Sequence, residues 1–413
     1  MNRTILRSLL ILALACWLPS PVWASPVDLE SALDVAAATL AERGATATVR
    51  SATTIEASGK PLVYLFELDP TGFVVIAGDT DLPPVIAYSW LDPLPNDPPE
   101  RDIYRDLVQT DLELRLTQLP ALPSDMIADR HTAWDRLLAA EDAGLTPRFF
   151  QQWPPSGSTA TGGWLEVNWH QNAPYNDQCP LDPVAGGRSL AGCPAVAMAT
   201  IVDYNRSTNG TRLDDSDDYY HSYSGRQYWI DDDWATLEFP SFTTLSDSLA
   251  ILDEHYRTHS ATTDADAAAL VFACGVAERQ VYTASASGTF GVDQAVDGYL
   301  RFGVNNIELV LGTDPDFYSK LSADMMSARP AHLAVLNPTH TAGHNLVVDG
   351  VNTDSYYHLN FGWGGTANGW YLLPDEIPYG LTVIDGVIVN IRFSLFQDDF
   401  EDGTTDGWST VVP

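Results

Sequence analysis

Apolar residues recur at helical spacing from Leu29 to Leu40, with Asp28 placed to cap that helix and Gly44 to stop it. The pattern then shifts to strands. Leu62–Leu68 and Phe73–Ala77 flank Asp69-Pro70-Thr71-Gly72, which predicts a hairpin around a turn-forming tetrapeptide, and Val85–Tyr88 reads as a further strand. Helical spacing returns in Ile103–Leu119 and His131–Glu141. Residues 25–150 therefore read as an α+β unit. It contains no cysteine and no catalytic constellation.

Trp153-Pro154-Pro155-Ser156-Gly157-Ser158-Thr159-Ala160-Thr161-Gly162-Gly163 cannot supply a buried face. Residues 151–163 are thus expected to form an exposed linker, open to proteolysis. A second unit, 164–396, follows, and an acidic stretch, 397–413, reads as a flexible tail. At the other end, Arg3 and Arg7 precede an apolar run, Leu9–Leu18, and Val22-Trp23-Ala24 offers a small-residue cleavage site. Residues 1–24 have the form of a secretory signal peptide, with an apolar run too short to span a bilayer. The expectation is a secreted protein, with the periplasm possible in transit and no stable membrane insertion.

The formal net charge of −34 opposes contact with phosphate backbones, so nucleic acid is not an expected partner. Of four cysteines, Cys16 leaves with the signal, and Cys179, Cys193 and Cys274 remain. An odd number in an exported chain points to one reactive thiol, with pairing of the other two left open. The Cys and His spacings do not resemble a metal site, and no cofactor is expected.

Cys193 is the thiol with a chemical setting. From Pro194 to Val202 every residue but Thr200 is apolar, which describes a buried helix with proline in its first turn and Cys193 at its N-cap. The partial positive charge of a helix N-terminus favours thiolate. Further along, Gly343–Val351 and Tyr356–Gly365 flank Asn352-Thr353-Asp354-Ser355, a second hairpin. Closed at Asn352 and Ser355, it sets Val351 opposite Tyr356, Val347 opposite Asn360 and His344 opposite Trp363. A base histidine, an amide to orient it and a shielding indole then share one element. That set suits a cysteine nucleophile, whose proton an imidazole takes and returns to the leaving amine. Gly343 is a candidate for the substrate pocket. Gln171, in Trp169–Asn176, is a candidate oxyanion donor beside the Cys193 N–H. His332, His340 and His358 read as structural or solvated.

Gly192-Cys193 leading an Ala-rich helix, Gly343-His344 and Asn360-Phe361-Gly362-Trp363-Gly364-Gly365 resemble the streptopain family of bacterial cysteine peptidases, a branch of the papain-like superfamily. Gln171 with Pro174-Tyr175-Asn176 adds to the likeness. So does Gly72–Asp79, which is similar to that family's propeptide. The resemblance covers most of residues 25–395. It implies a papain-like α+β fold, with a helical side holding the nucleophile and an antiparallel β side holding the histidine. It implies an inhibitory propeptide, protein or peptide substrates, and Cys193 and His344 as nucleophile and base. Phe361 and Pro194 depart from the family pattern. Two other readings use the same thiol or its scaffold: a cysteine amidase acting on cell-wall peptides, and an inactive exported binding or inhibitor protein.

Overall fold

The computed structural model describes residues 26–139, 150–336, 343–373 and 384–393. The signal sequence, the tail and His340 lie outside them.

The first region opens with α1 (Leu29–Glu42), whose capping carboxylate on Asp28 accepts from the Ser31 N–H at 2.8 Å. Four strands follow, β1 (Thr48–Ala57), β2 (Lys60–Asp69), β3 (Phe73–Ala77) and β4 (Val85–Ser89), and then helices α2 (Glu100–Gln118) and α3 (Ser124–Leu138). Strand β1 has no counterpart in the hydrophobic pattern. It is almost wholly solvent-facing, so it lacks the alternation that marks a half-buried strand.

Next come β5 (Gln152–Trp153), α4 (Cys193–Asn205), the hairpin β6 (Tyr220–Tyr223) and β7 (Arg226–Trp229), and a short helix α5 (Trp234–Leu237). Helices α6 (Phe242–Arg257), α7 (Asp264–Ala277) and α8 (Val292–Arg301) complete the helical side. The β side comprises β8 (Glu308–Leu311), helix α9 (Phe317–Met326), β9 (Ala331–Leu336), β10 (Gly343–Asn352), β11 (Tyr356–Asn360), β12 (Gly369–Leu372) and β13 (Ile384–Val389).

Among the described residues, 11 strands form one sheet, ordered β1-β2-β3-β4-β12-β11-β10-β9-β13-β8, with β5 added against β10. The join between the two halves is β4 against β12, where Tyr88 faces Trp370 and Ala87 faces Tyr371. Every residue of β4 and of β12 is buried. Two apolar strands with open edges lose unpaired backbone groups by joining. The first region is therefore built onto the catalytic sheet rather than tethered beside it. Arg115 of α2 donates to the Leu372 carbonyl at 2.6 Å, Tyr356 O–H donates to the Val85 carbonyl at 2.8 Å, and Arg43 pairs with Asp354 at 2.5 Å.

The expected β10–β11 register holds at its outer end, with Val347 opposite Asn360. It slips by one residue at Asp349, so Val351 faces Tyr357 instead of Tyr356. This β-bulge frees the Asp349 carboxylate to accept from the Leu165 N–H at 3.0 Å and to contact His358 Nδ1 at 2.6 Å. The bulge also corrects the expectation for residues 151–163. That stretch is docked at both ends: Trp153 pairs with Val351, and the Trp164 N–H donates to the Asp349 carbonyl at 2.7 Å. A Cβ on Gly163 would lie 2.1 Å from Asp349 Oδ2, so only glycine admits this approach. Only the tip, Pro155–Ser158, is continuously exposed.

The Arg43–Asp354 pair links α1 to the β10–β11 turn, with both side chains mostly shielded from water. Breaking a shielded pair by removing one partner costs about 3 kcal/mol. Arg43→Ala, in a Cys193→Ala background that blocks self-processing, should therefore unfold at clearly lower urea than its parent. Unchanged urea midpoints would show that the pair does not hold the first region in place.

Candidate active site

Helix α4 is buried from Pro194 to Asp203, as its uniform apolarity predicts. Cys193 is its first residue and Gly192 its N-cap, so the helix starts one residue earlier than expected. Gly192 sits at φ +88°, and a Cβ there would lie 2.5 Å from Gln280 Oε1. The strand-like approach to the cysteine is clamped from two sides. The Ala191 N–H donates to the Gln171 carbonyl at 2.9 Å, and Gln280 Nε2 donates to the Ala191 carbonyl at 2.6 Å. Gln171 thus stands beside the segment that leads to Cys193, attached through its backbone.

Strand β10 brings the histidine. Gly343, exposed, and His344 lie at its outer end, and both line a cleft of about 260 Å3 with Cys193, Pro194, Asn345 and Phe290. Alternation sets His344 on one face of the sheet and Asn345 on the other. Asn345 faces α4, and its backbone N–H donates to the Cys193 sulfur at 3.4 Å. His344 faces the aromatic side. Its Nε2 lies 2.7 Å from the Phe361 carbonyl oxygen, which only accepts, so Nε2 carries the proton and Nδ1 keeps the lone pair. The ring is 4.6 Å from that of Trp363 and 5.9 Å from that of Phe361, nearly parallel to the latter. The Trp363 indole thus packs against the imidazole.

Asn360 does not orient His344, contrary to expectation. Its amide is spent elsewhere, donating to the Val167 carbonyl at 3.2 Å and accepting from the Gly362 N–H at 3.0 Å. Those bonds shape the turn that presents the Phe361 carbonyl, and that carbonyl takes the orienting role. Behind Phe361 stands Tyr104 of α2, edge-on at 6.0 Å. The first region thus reaches to within one aromatic ring of the histidine.

The thiol is not activated in this form. Burial pushes Cys193 up to about 11, against the opposing hydrogen bonds from Asn345. Burial likewise pulls His344 down to about 4, against its bond to Phe361. The expected thiolate at the helix N-terminus is absent because enclosure by protein outweighs a helix-end charge worth about 1 kcal/mol. Cys179 and Cys274 are buried free thiols. Among the described residues no His, Cys, Asp or Glu cluster suits a metal ion, and no helix is long and apolar enough to cross a membrane.

A cysteine and a histidine on facing helical and β sides, under an aromatic cover, are the arrangement of a cysteine-type peptidase, and comparison with known proteins gives that class. Residues 169–371, just under half of the chain, match the model of the Peptidase C10 family. Residues 24–100 match the Spi protease inhibitor model. Streptopain of Streptococcus pyogenes is 22% identical over 349 residues, covering 79% of this chain and 77% of that protein. The thiol protease/hemagglutinin PrtT of Porphyromonas gingivalis is 25% identical over 211 residues, 50% of this chain and 23% of that protein. A prointerpain A fragment of Prevotella intermedia superposes with a TM-score of 0.52 at 19% identity, covering 83% of this chain and 99% of that one, which shows the fold. The protein is a cysteine endopeptidase made as a zymogen. These matches carry the peptidase reading rather than the amidase or the inactive binder.

Some residues at the site escaped the sequence reading: Asn345, Gln280, the Phe361 carbonyl and Glu278. Glu278 is buried with neither carboxylate oxygen hydrogen-bonded. No spacing rule marks them, because they meet Cys193 only through sheet register and a returning loop.

The two shifts give a test of the precursor. Folded His344 titrates near 4 and unfolded histidine near 6.5, so the unfolded chain binds a proton that the folded one refuses. Stability from this group is intact above pH 6.5 and falls by about 3 kcal/mol as pH drops to 4. Cys193→Ala precursor should lose more stability over that window than Cys193→Ala/His344→Gln precursor. Parallel pH profiles would contradict a buried neutral His344.

Proposed function

We propose that Cys193 is the nucleophile and His344 the general base of a secreted endopeptidase, held inactive by residues 25–150 until the chain is cut. The observation that carries this reading is that both residues line one cleft between α4 and β10. The tautomer of His344 supports it, since Nδ1 holds the free lone pair while Nε2–H is occupied by the Phe361 carbonyl.

In the active enzyme His344 Nδ1 takes the thiol proton, and the sulfur attacks the carbonyl carbon of the scissile peptide. The developing oxyanion is met by the Cys193 N–H at the helix start and by the Gln171 amide. The imidazolium returns its proton to the leaving amine, and a thioester remains on Cys193. Water, deprotonated by His344, attacks the thioester; the acid product leaves and the thiol is restored. Trp363 and Phe361 keep water from the face of the ring. Gly343 forms part of the cleft floor where substrate backbone passes.

Residues 1–24 direct export. The cut that frees the enzyme falls within 151–163, at the exposed tip Pro155–Ser158. Substrates are proteins or peptides, and residues 25–150 act as an intramolecular inhibitor by occupying the edge of β12.

Purified wild-type precursor should shorten on standing under reducing conditions, with a new N-terminus between Phe149 and Trp164, and should then cleave a general protein substrate. Cys193→Ala precursor should stay full length. His344→Ala should fold, and after maturation by added wild-type enzyme should show at least 100-fold lower kcat, the scale of a lost general base. If pure Cys193→Ala precursor matured as fast as wild type, Cys193 would not be the nucleophile.

A further inference from the structure

Behind the cleft lies a line of buried polar side chains with no part in the reaction as written above. Tyr299 of α8 places its hydroxyl 3.3 Å from His332 Nδ1, and His332 Nε2 lies 2.9 Å from Asn345 Oδ1. Tyr299 and His332 are both 0% exposed. In the sheet, Asn345 pairs with Ala334 and Val347 with His332, so Asn345 and His332 are diagonal neighbours on the face toward α4.

The direction of these bonds is determined. Oδ1 only accepts, so His332 Nε2 carries the proton. A neutral imidazole then has its lone pair on Nδ1, and the Tyr299 O–H donates there. Burial keeps His332 neutral, pulling it down to about 4. With Oδ1 occupied, the amide nitrogen is the end left for Cys193: the sulfur accepts from the Asn345 backbone N–H at 3.4 Å, and the Asn345 side chain also acts to lower the thiol. A flipped amide would turn Oδ1 toward the sulfur and repel a thiolate.

We propose that the side-chain amide of Asn345 is a catalytic donor to the Cys193 thiolate, and that His332 and Tyr299 are positioning residues that hold it in the donating orientation. This rests on Cys193 being the nucleophile. Four buried elements, α8, β9, β10 and α4, contribute one group each, so the orientation is set before substrate arrives. The other titratable groups around the sulfur are His344, Tyr223 and Asp385 at the cleft wall and the buried carboxyl of Glu278. Burial drives Glu278 far above the usual carboxylate range, which keeps it neutral. None of these shares the Asn345 amide.

The test uses mature enzyme, prepared by adding wild-type protease and then removing it. Thiol acidity is read from the pH dependence of iodoacetamide inactivation, and kcat and KM from a peptide substrate. Asn345→Ala is expected to raise the thiol pKa by about one unit and lower kcat about tenfold, the scale of one lost charge-assisted donor, with KM within about twofold. His332→Leu should move both values the same way by less, and His332→Gln, which retains an N–H donor, should restore them. On the Asn345→Ala background, His332→Leu should add nothing. Wild-type thiol acidity and kcat in Asn345→Ala would overturn the proposal, and so would a full additional loss from His332→Leu on that background. Should His332→Leu fail to fold, Asn345→Ala and His332→Gln still decide: a His332→Gln enzyme as impaired as Asn345→Ala counts against the relay. Activity in Cys193→Ala enzyme would instead sink the nucleophile assignment itself.

Discussion

One strand, β10, has to satisfy three neighbours at once, and the rest of the site follows from how it does so. It pairs with β9 along its outer half, with β11 along its inner half and with β5 at its inner end. Because side chains alternate, consecutive residues serve different masters. His344 goes to the aromatic side and Asn345 to the nucleophile. Asp349, displaced by the bulge, turns to the segment that leads into the second region. A one-residue slip at the outer end would send His344 to the helical side and expose the amide of Asn345. The pairing of Val347 with both His332 and Asn360 guards against that slip.

The first region completes this frame. By adding β4 to the edge of β12, it extends the sheet and brings α2 across the aromatic side. The layer Tyr104, Phe361, His344, Trp363 is then continuous from the first region to the imidazole. The first region thereby helps to enclose His344 in an aromatic stack.

Much of this was legible in the chain. The uniform apolarity of Pro194–Val202 marked a buried helix, and the two β-rich runs around Asn352–Ser355 marked the hairpin that carries His344. The opposition of Val347 and Asn360 was expected from a turn closed at Asn352 and Ser355, and it holds because the bulge at Asp349 offsets a turn one residue longer than that. The bulge itself was not expected, because period-two alternation carries no sign of an extra residue until the partner strand is seen. The docking of 151–163 depends on that bulge and was hidden with it. The role of Asn360 was misread because the expected register placed the right element beside His344, while the hydrogen-bonding atom proved to be the next residue's carbonyl. Backbone groups leave no trace in residue identity. Asn345 and His332 come from different strands, and only register makes them neighbours.

The balance between neutral and ionised forms of Cys193 and His344 can be decided by magnitude. In water, a thiol near 8.5 and an imidazole near 6.5 differ by 2 units, so moving the proton costs about 3 kcal/mol. Attraction between the resulting charges at about 4 Å is worth about 4 kcal/mol where the effective dielectric is about 20, enough to favour the ion pair. In the precursor the two groups stand at about 11 and about 4. The proton transfer then costs about 10 kcal/mol, and no plausible attraction at that distance recovers it. Donors such as the Asn345 N–H act in the right direction but on a smaller scale. What must change on activation is therefore hydration of the cleft rather than any single hydrogen bond. With water admitted to the cleft, the same two side chains would pass from the side of the balance where the proton stays on sulfur to the side where it moves to nitrogen.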